Sequence, residues 1–434
     1  MNITRRIFLK NGGLALASIG LAPVIGPAFL QRSVFAAEPD ASRRKKTLIC
    51  IFQRGAMDGL SAVTPYGDAE LYKLRPNLAV AAPTSGNKGE SALDLDGFFG
   101  LHPSLSAFLP LYQSGHLAVI HACGSPNTTR SHFDAQDYME SGIPTSKSVA
   151  DGWLARTIAQ CPEDRKNAAN PFRAVALGGS LPRSLQGDSN ALAIPDLKTF
   201  GVGGGIARLA GGNGDVAGGF ETLYNDAVGD VLHGTGKESF EAIKMLKKLN
   251  PTAYRSAPGA NYPTGKFAES LKQIAQLIKA DVGVEVAFAD VGGWDTHANQ
   301  GGAQGQLANR LREFSNAIAA LHHDLGDRMN DVVILTMSEF GRTARQNGTG
   351  GTDHGHATCF FALGGAVNGG VVLSKWPGLA PEQLNDNRDL ALTTDYRAVF
   401  AEVAQKHLKA THMEKIFPDY RVSQSDYPGV LRSI

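Results

Sequence analysis

Short apolar segments alternate with longer amphipathic segments along most of this 434-residue chain. The apolar segments lack strict polar alternation, which is typical of strands buried on both faces of a sheet. Six strands are predicted, at Thr47–Phe52, His116–His121, Phe172–Leu177, Val284–Ala289, Val332–Thr336 and Cys359–Leu363. Helical periodicity predicts helices at Ser104–Ser114, Val149–Gln160, Lys266–Ala280, Gly305–Leu325 and Thr394–Leu408. The alternation predicts an α/β fold with a mostly parallel central sheet and helices on both faces.

The segment Gly201–Gly219 interrupts this alternation because it is rich in glycine. Helical patterns follow it to about Leu249, so we predict an insertion over about residues 180–265. The run Gly201-Val-Gly-Gly-Gly205 superficially resembles a phosphate-binding loop, but no strand precedes it and no Gly-Lys-Ser/Thr ending follows it. A mobile insertion that covers the site is the better interpretation.

The N-terminus has the pattern of an export signal. Arg5 and Arg6 precede a stretch without charge from Asn11 to Gln31, and small residues follow at a suitable cleavage position. This pattern resembles a twin-arginine signal peptide over residues 1–36, which leaves a domain of residues 37–434. A membrane anchor is the alternative, but several glycines and prolines disfavour a stable spanning helix. We therefore expect a periplasmic or secreted protein without a stable membrane span, exported by the twin-arginine translocation machinery.

Charge and cysteine usage narrow the function classes. Residues 1–36 contain four basic residues and no acidic one, so their removal changes the formal net charge from +1 to −3. Nucleic-acid binding usually requires a basic face and is not indicated here. Cys50, Cys123 and Cys359 lie in apolar segments and are interpreted as small buried side chains. A disulfide stays open as an alternative, because sequence alone cannot pair the cysteines.

Two glycine-bearing loops in the C-terminal half of the chain place aspartate close to histidine. Each loop follows a predicted strand, and ligands of parallel α/β sheets bind at the carboxyl ends of strands. The loops contain Asp295, His297, Asp353, His354 and His356. Imidazole and carboxylate ligands together suit Zn²⁺, Mn²⁺ or iron ions better than Ca²⁺ or Mg²⁺. The two loops therefore predict a shared metal site.

Asp58 offers another carboxylate shortly after the first predicted strand. It stands in the turn Arg54–Gly59, where an aspartate either ligates a metal or forms an Asx turn, and the sequence leaves both open. With Asp58 as a bridging or completing ligand, the loops would hold two divalent ions, Zn²⁺ or Mn²⁺. Two ions would activate a nucleophile and stabilise the leaving oxygen of an ester.

A candidate nucleophile follows the second predicted strand. Ser131 opens a helix, and a hydroxyl in that position faces free backbone N–H groups that suit an anionic ester. Arg130 would grip the non-bridging oxygens of such an ester. The structural alternative is a helix cap, because Ser131 followed by Asp134 nearly matches a capping box.

These motifs carry a resemblance to known families. Asp353-His354-Gly355-His356 resembles the Asp-His-x-His element of the alkaline phosphatase superfamily, and Asp295–Asn299 is similar to its Asp…His-Ala-Ala-Asn element. With the leader and Ser338–Thr343, the chain more closely resembles an exported bacterial family, domain of unknown function 1501, which is related in fold to sulfatases and phosphatases. The resemblance implies Ser131 as nucleophile, His356 as a ligand or outer-sphere residue, and as metal ligands Asp58, Asp295, His297, Asp353 and His354.

The function that this resemblance implies is an exported, metal-dependent hydrolase of phosphate or sulfate esters, acting on a small-molecule or polysaccharide substrate. Two alternatives stay open: an enzyme of the same fold that acts on another bond, and a non-catalytic member that binds metal or polysaccharide. The segments Cys123–Pro126 and Ser180–Arg183 do not fit the Cys/Ser-x-Pro-x-Arg signature, which disfavours a formylglycine sulfatase. A dinucleotide oxidoreductase is excluded because no Gly-x-Gly-x-x-Gly follows the first strand.

Overall fold

The computed structural model describes residues 45–83, 89–162, 170–187, 191–199 and 251–432. The predicted signal peptide and the segment Gly201–Gly219 lie outside these residues, so both stay predictions. Within the described ranges, no helix combines the length and the hydropathy that a membrane span requires.

Most strands belong to one central sheet. In chain order, the described strands are β1 (Thr47–Gln53), β2 (Val63–Thr64), β3 (Leu93–Asp94), β4 (Gly100–Leu101), β5 (Leu117–Gly124), β6 (Ala174–Ala176), β7 (Leu192–Ala193), β8 (Val286–Val291), β9 (Val332–Met337), β10 (Thr358–Gly364), β11 (Val371–Leu373) and β12 (Thr394–Asp395). The central sheet has the order β11-β5-β10-β9-β1-β8-β6-β7, and β12 also pairs with β5. The short strands β2, β4 and β3 form a separate antiparallel sheet.

The central sheet is parallel except at β10. Strand β1 pairs in parallel with β8 and β9, and β6 pairs in parallel with β7 and β8. Strand β10 is antiparallel to both of its neighbours, β5 and β9. The predicted mostly parallel sheet is confirmed. Because β10 is antiparallel, the loop that precedes it reaches the same edge as the carboxyl ends of β1, β5, β8 and β9.

Helices cover both faces of this sheet. The described α-helices are α1 (Gly59–Ala62), α2 (Glu70–Leu74), α3 (Leu109–Gln113), α4 (His132–Ser141), α5 (Trp153–Gln160), α6 (Lys266–Lys279), α7 (Gln306–Leu325), α8 (Tyr396–Lys406) and α9 (Met413–Ile416). Short 3₁₀ helices span Pro103–Phe108, Arg183–Leu185, Pro251–Ala253, Gly326–Asp331, Pro381–Gln383 and Gln424–Asp426. The predicted helix Ser104–Ser114 is therefore a 3₁₀ turn followed by α3.

Strand β1 shows how the sheet separates two hydrophobic cores. All seven of its residues are buried. Ile49 and Ile51 pack into the core that contains α6 and α7, whereas Cys50 and Phe52 pack into the core that contains α5 and α8. Successive side chains of a strand point to opposite faces, so a strand buried on both faces must be apolar at every position. The unbroken apolar run in the sequence is the direct consequence.

The cysteines contribute to these cores as thiols. Cys50, Cys123, Cys161 and Cys359 are all buried and free. Burial raises the pKa of the Cys161 thiol to about 12, so it stays protonated at neutral pH. The interpretation of Cys50, Cys123 and Cys359 as buried hydrophobic side chains is confirmed, and no disulfide joins the four.

Candidate metal centre

Backbone hydrogen bonds join the two Asp-His loops at the carboxyl edge of the sheet. The amide of Thr352 donates to the carbonyl of Thr296 at 3.2 Å, and the amide of Gln300 donates to the carbonyl of Gly350 at 2.9 Å. Gly351 makes this approach feasible, because a Cβ there would lie 2.4 Å from the backbone of His297. The two loops therefore form one surface.

His132, the first residue of α4, extends its imidazole into this surface. Its Nδ1 lies 2.9 Å from Oε1 of the fully buried Glu339, which can only accept a hydrogen bond as a carboxylate. The same oxygen accepts from the amide of Gly55 at 2.8 Å and from Gln136 at 2.9 Å. Nδ1 of His132 therefore donates, and its Nε2 is buried with no hydrogen-bond partner among the described residues. The bond with Glu339, opposed by burial, raises the pKa of His132 above its ordinary value.

Two further imidazoles are fixed in the same tautomer. Nδ1 of His354 donates to the carbonyl oxygen of Arg130 at 2.8 Å, and Nδ1 of His297 donates to Oδ1 of Asp353 at 3.0 Å. Neither acceptor carries a proton, so Nδ1 is protonated and Nε2 is the nitrogen with the lone pair in the neutral form of each ring. Burial lowers the pKa of His354, which favours the neutral imidazole that binds metals.

The Nε2 atoms converge on the carboxylate of Asp295. Nε2 of His297 lies 3.0 Å from Oδ1, Nε2 of His354 lies 3.3 Å from Oδ1, and Nε2 of His132 lies 3.5 Å from Oδ2. Nε2 of His297 also lies only 2.9 Å from Nε2 of His354. Two lone pairs at this distance repel each other unless a proton or a metal cation lies between them.

His132, Asp295 and His354 are close enough together to hold one metal cation. Tetrahedral Zn²⁺ with ligand bonds of about 2.0–2.1 Å separates its ligand atoms by about 3.3 Å. The ligand atoms of His132, Asp295 and His354 all lie within 4.8 Å of one another, and His297 contacts two of these residues. Three imidazoles and one carboxylate form a donor set typical of Zn²⁺, Mn²⁺ or iron ions.

Arg342 holds the carboxylate of Asp295 in place. Its guanidinium is fully buried and donates through Nη1 to Oδ1 of Asp295 at 2.6 Å. Other bonds from the same guanidinium to Thr352 link it to the second loop. Burial acts to raise the pKa of Asp295, but the hydrogen bond and charge of Arg342 outweigh burial and hold that pKa below its ordinary value. The carboxylate is therefore charged at neutral pH.

Of the other predicted ligands, Asp353 and His356 lie near the centre in different roles. Oδ1 of Asp353 accepts from His297 and from the side chain of Asn347, at 3.0 and 3.1 Å. Asp353 therefore orients an imidazole of the centre. His356 is buried, and its Nε2 donates to the carbonyl oxygen of Ser125 at 2.8 Å. A carbonyl oxygen only accepts, so the proton of His356 is on Nε2 and the ring does not offer that nitrogen to a metal.

Asp58 lies in a different, fully buried network. Arg75 contacts its carboxylate at 2.8 Å, Gln300 donates to Oδ2 at 2.7 Å, and Ser61 bonds both oxygens. Burial acts to raise the pKa of Asp58, but the charge and hydrogen bonds of Arg75 lower it below its ordinary value. The sequence left a turn residue and a ligand open for Asp58, and the structure makes it the N-cap of α1.

Ser131 and Arg130 stand at the N-terminus of α4, directly before His132. The hydroxyl oxygen of Ser131 accepts from the amide of Asp134 at 3.4 Å, as a helix cap does. The guanidinium of Arg130 contacts Asp389 at 2.7 Å and Asp386 at 3.3 Å. These contacts leave the roles predicted for Ser131 and Arg130 as hypotheses.

His132, Glu339 and Arg342 were not among the predicted site residues. His132 stands beside Ser131 in the segment that follows β5, so the rule that placed the Asp-His loops after strands also points to it. Glu339 and Arg342 belong to the segment after β9, which the sequence marked only by family resemblance. No local pattern distinguishes a carboxylate that orients an imidazole from one that caps a turn.

The chain was compared with known families and structures. Residues 230–417 match the family model described as "Protein of unknown function (DUF1501)". This match covers less than half of the chain but includes both Asp-His loops and the segment with Glu339 and Arg342. A search of curated proteins finds no match.

Several solved structures are distantly similar. The lipoteichoic acid synthase LtaP from Listeria monocytogenes is 8% identical, over 79% of this chain and 70% of that chain, with a TM-score of 0.30. PsFucS1 sulfatase from Pseudoalteromonas sp. is 14% identical, over 76% of this chain and 64% of that chain, with a TM-score of 0.31. A structure titled Ps i-CgsB is 11% identical, over 87% and 74% of the respective chains, with a TM-score of 0.35. Similarities this distant assign no reaction to the chain.

Proposed function

We propose that this protein is an exported, metal-dependent hydrolase of phosphate or sulfate esters. The observation that carries the proposal is the convergence of three Nε2 atoms on the carboxylate of Asp295. His132, His297, His354 and Asp295 would hold one divalent ion, Zn²⁺ or Mn²⁺. The two-ion hypothesis from the sequence depended on Asp58, whose carboxylate pairs with Arg75, so we propose one ion here.

Three residues outside the proposed ligand set orient the proposed ligands. Glu339 and Asp353 each accept a hydrogen bond from the Nδ1 atom of a ligand imidazole, an arrangement that fixes ring orientation and raises ligand basicity. Arg342 fixes the carboxylate of Asp295. When bound, the ion would supply Lewis-acid stabilisation of the charge that develops on the ester oxygens. Most of the donor set is therefore preorganised.

Ser131 is the proposed nucleophile. It precedes His132 in the chain and is the N-cap of the ten-residue helix α4, whose first backbone N–H groups would face an anionic ester. Arg130 would contact the same ester, provided that the ester displaces part of its pairing with Asp386 and Asp389. Attack by a water molecule is the version that remains if Ser131 only caps the helix.

Export remains a proposal that rests on Arg5 and Arg6 ahead of an uncharged stretch. Replacing both arginines by lysine should leave the precursor in the cytoplasm. Normal periplasmic accumulation of that variant would contradict twin-arginine export.

Metal analysis combined with an ester panel tests the proposed function. Protein purified gently with Zn²⁺ and Mn²⁺ supplied should contain about one transition-metal ion per chain and hydrolyse phosphate or sulfate esters. His354→Ala should lose both the ion and the activity. The matched control is His323→Ala, because His323 lies on α7 and bonds the carbonyl of Pro258. Metal binding without turnover of any ester would favour the non-catalytic alternative.

A further inference from the structure

A pocket of about 270 Å³ opens beside the candidate metal centre. Asp353 and Asn347, which bond each other and His297, also line this pocket. The pocket therefore adjoins the centre through two residues that bond His297. Its volume is slightly below the usual range of ligand pockets, about 300–1,000 Å³, which suits one small organic unit.

Two arginines contribute positive charge to the lining of the pocket. Arg345 lines it with an exposed guanidinium that makes no ion pair or hydrogen bond within the described ranges of the chain. Arg388 also lines it and is held by the buried carboxylate of Asp389, at 3.1 and 3.2 Å. The acidic residue of the lining is Asp353, whose Oδ1 already accepts two hydrogen bonds. An anion is the ligand that Arg345 could recognise.

The rest of the lining adds two further kinds of contact. Leu74, Pro381 and Leu384 present apolar surface. Asn387 presents a side-chain amide, which can both donate to and accept from hydroxyl groups. Gln346 adds an amide N–H group as a donor, because its Oε1 already accepts from the backbone amides of Asn77 and Leu78. A compact ring that has an apolar face, hydroxyl groups and one anionic group matches these contacts.

We propose that this pocket is a subsite for an anionic sugar unit, with Arg345 as the residue that recognises its charged group. The proposal rests on the proposed function, since the sugar would be the part of the substrate next to the ester. It narrows the substrate class to esters of sugars that carry a second anionic group. The guanidinium of Arg345 binds that group, whichever of carboxylate, sulfate or phosphate it is.

Calorimetric titration of the metal-loaded protein with glucuronate, and with glucose as the neutral control, tests the subsite. Glucuronate should bind more tightly than glucose. Arg345→Gln should weaken glucuronate binding about tenfold, the value of one hydrogen bond to a charged group. Arg345→Lys, which keeps the charge, should weaken it less. Arg421→Gln, at an exposed arginine outside the pocket lining, should bind like the unmodified protein.

Three results would overturn the subsite. They are equal affinity for glucuronate and glucose, unchanged binding by Arg345→Gln, or binding that is lost in His297→Ala and kept in Arg345→Gln. The last result would place the carboxylate at the metal centre instead. Failure of the proposed function has a different signature, because binding that depends on Arg345 would then persist while no ester is hydrolysed.

Discussion

Glu339 determines how one side chain faces the centre. It is fully buried, and its Oε1 accepts hydrogen bonds from Nδ1 of His132 and from Gly55 and Gln136. Glu339→Gln replaces a charged acceptor by a weaker amide oxygen, so the imidazole becomes a less basic and less oriented ligand. We expect metal affinity to fall about 10–100-fold, measured by equilibrium dialysis against Zn²⁺.

The control for this prediction is Glu269→Gln on α6, whose carboxylate pairs with Lys198. That variant should bind the ion as the unmodified protein does. If Glu339→Gln retained full affinity, His132 would not be a ligand oriented by Glu339.

Substitution of Ser131 distinguishes a catalytic hydroxyl from a helix cap. If its hydroxyl attacks the ester, Ser131→Ala should lose activity by several orders of magnitude while metal content stays unchanged. If it only accepts from the amide of Asp134, the change should cost about 1 kcal/mol of stability and little activity. Turnover, metal content and urea unfolding, measured together, distinguish the two. Ser423→Ala, which removes a cap from the 3₁₀ turn Gln424–Asp426, is the structural control.

At the residue scale, the sequence predicted which two loops meet, whereas the binding of a metal by their residues stays a proposal. Asp295, His297 and His354 were recognised because they follow strands in glycine-bearing loops, and the structure brings them together. Glycine allows those loops to approach each other, so the glycine content of the loops was a valid indication that they meet. His132 was missed because its orientation depends on Glu339, which lies 207 residues away in sequence. Long-range pairing of this kind leaves no local pattern.

At the level of the elements, Arg75 connects the start of α1 to the loop after β9, because it pairs with the buried carboxylate of Asp58. Arg75 also donates to the carbonyl oxygens of Thr343 and Ala344, at 2.7 and 2.9 Å. Removal of one partner leaves an uncompensated buried charge, so Asp58→Asn should lower the free energy of unfolding by about 3–5 kcal/mol. Metal content should not change. Urea unfolding and metal analysis measure the two quantities.

The double variant Asp58→Asn with Arg75→Met tests the same pair if the single variant folds poorly. It removes both charges, so it should recover part of the lost stability. Loss of the ion from Asp58→Asn at unchanged stability would show instead that Asp58 is a metal ligand.

The strands were the most predictable elements of the fold. Thr47–Phe52 and Val332–Thr336 were placed to within one residue of β1 and β9, because strands buried on both faces must be apolar throughout. The direction of β10 could not be predicted, since its residues are as apolar as those of the parallel strands. The short edge strand β7 falls inside the predicted insertion, where two paired residues give no recognisable period.

For the whole molecule, two buried histidines should make the folded state less stable in acid. Burial lowers the pKa of His121 and of His407 to about 4. The ordinary pKa of a histidine is about 6.5. Below that pH the two imidazoles take up protons in the unfolded chain but stay neutral in the folded chain, so protons favour unfolding. Stability is therefore fully present above about pH 6.5 and falls as the pH drops towards 4. Between pH 7 and pH 5 each imidazole should cost about 2 kcal/mol of unfolding free energy.

His407→Gln isolates one of these contributions. The glutamine amide can still donate to the carbonyl oxygen of Thr47, the partner of Nε2 in His407. Urea unfolding at pH 7 and pH 5 should show a smaller loss of stability for this variant than for the unmodified protein, by about 2 kcal/mol. An identical pH dependence of the two proteins would contradict a neutral buried His407.

The proposed function requires that one metal ion is bound by three imidazoles and one carboxylate at the carboxyl edge of the sheet. Anomalous diffraction from crystals grown with Zn²⁺, collected on both sides of the zinc absorption edge, tests it most directly. We expect one strong anomalous peak in contact with Nε2 of His132, His297 and His354 and with the carboxylate of Asp295. Absence of a peak there, or a peak at Asp58 instead, would contradict the account.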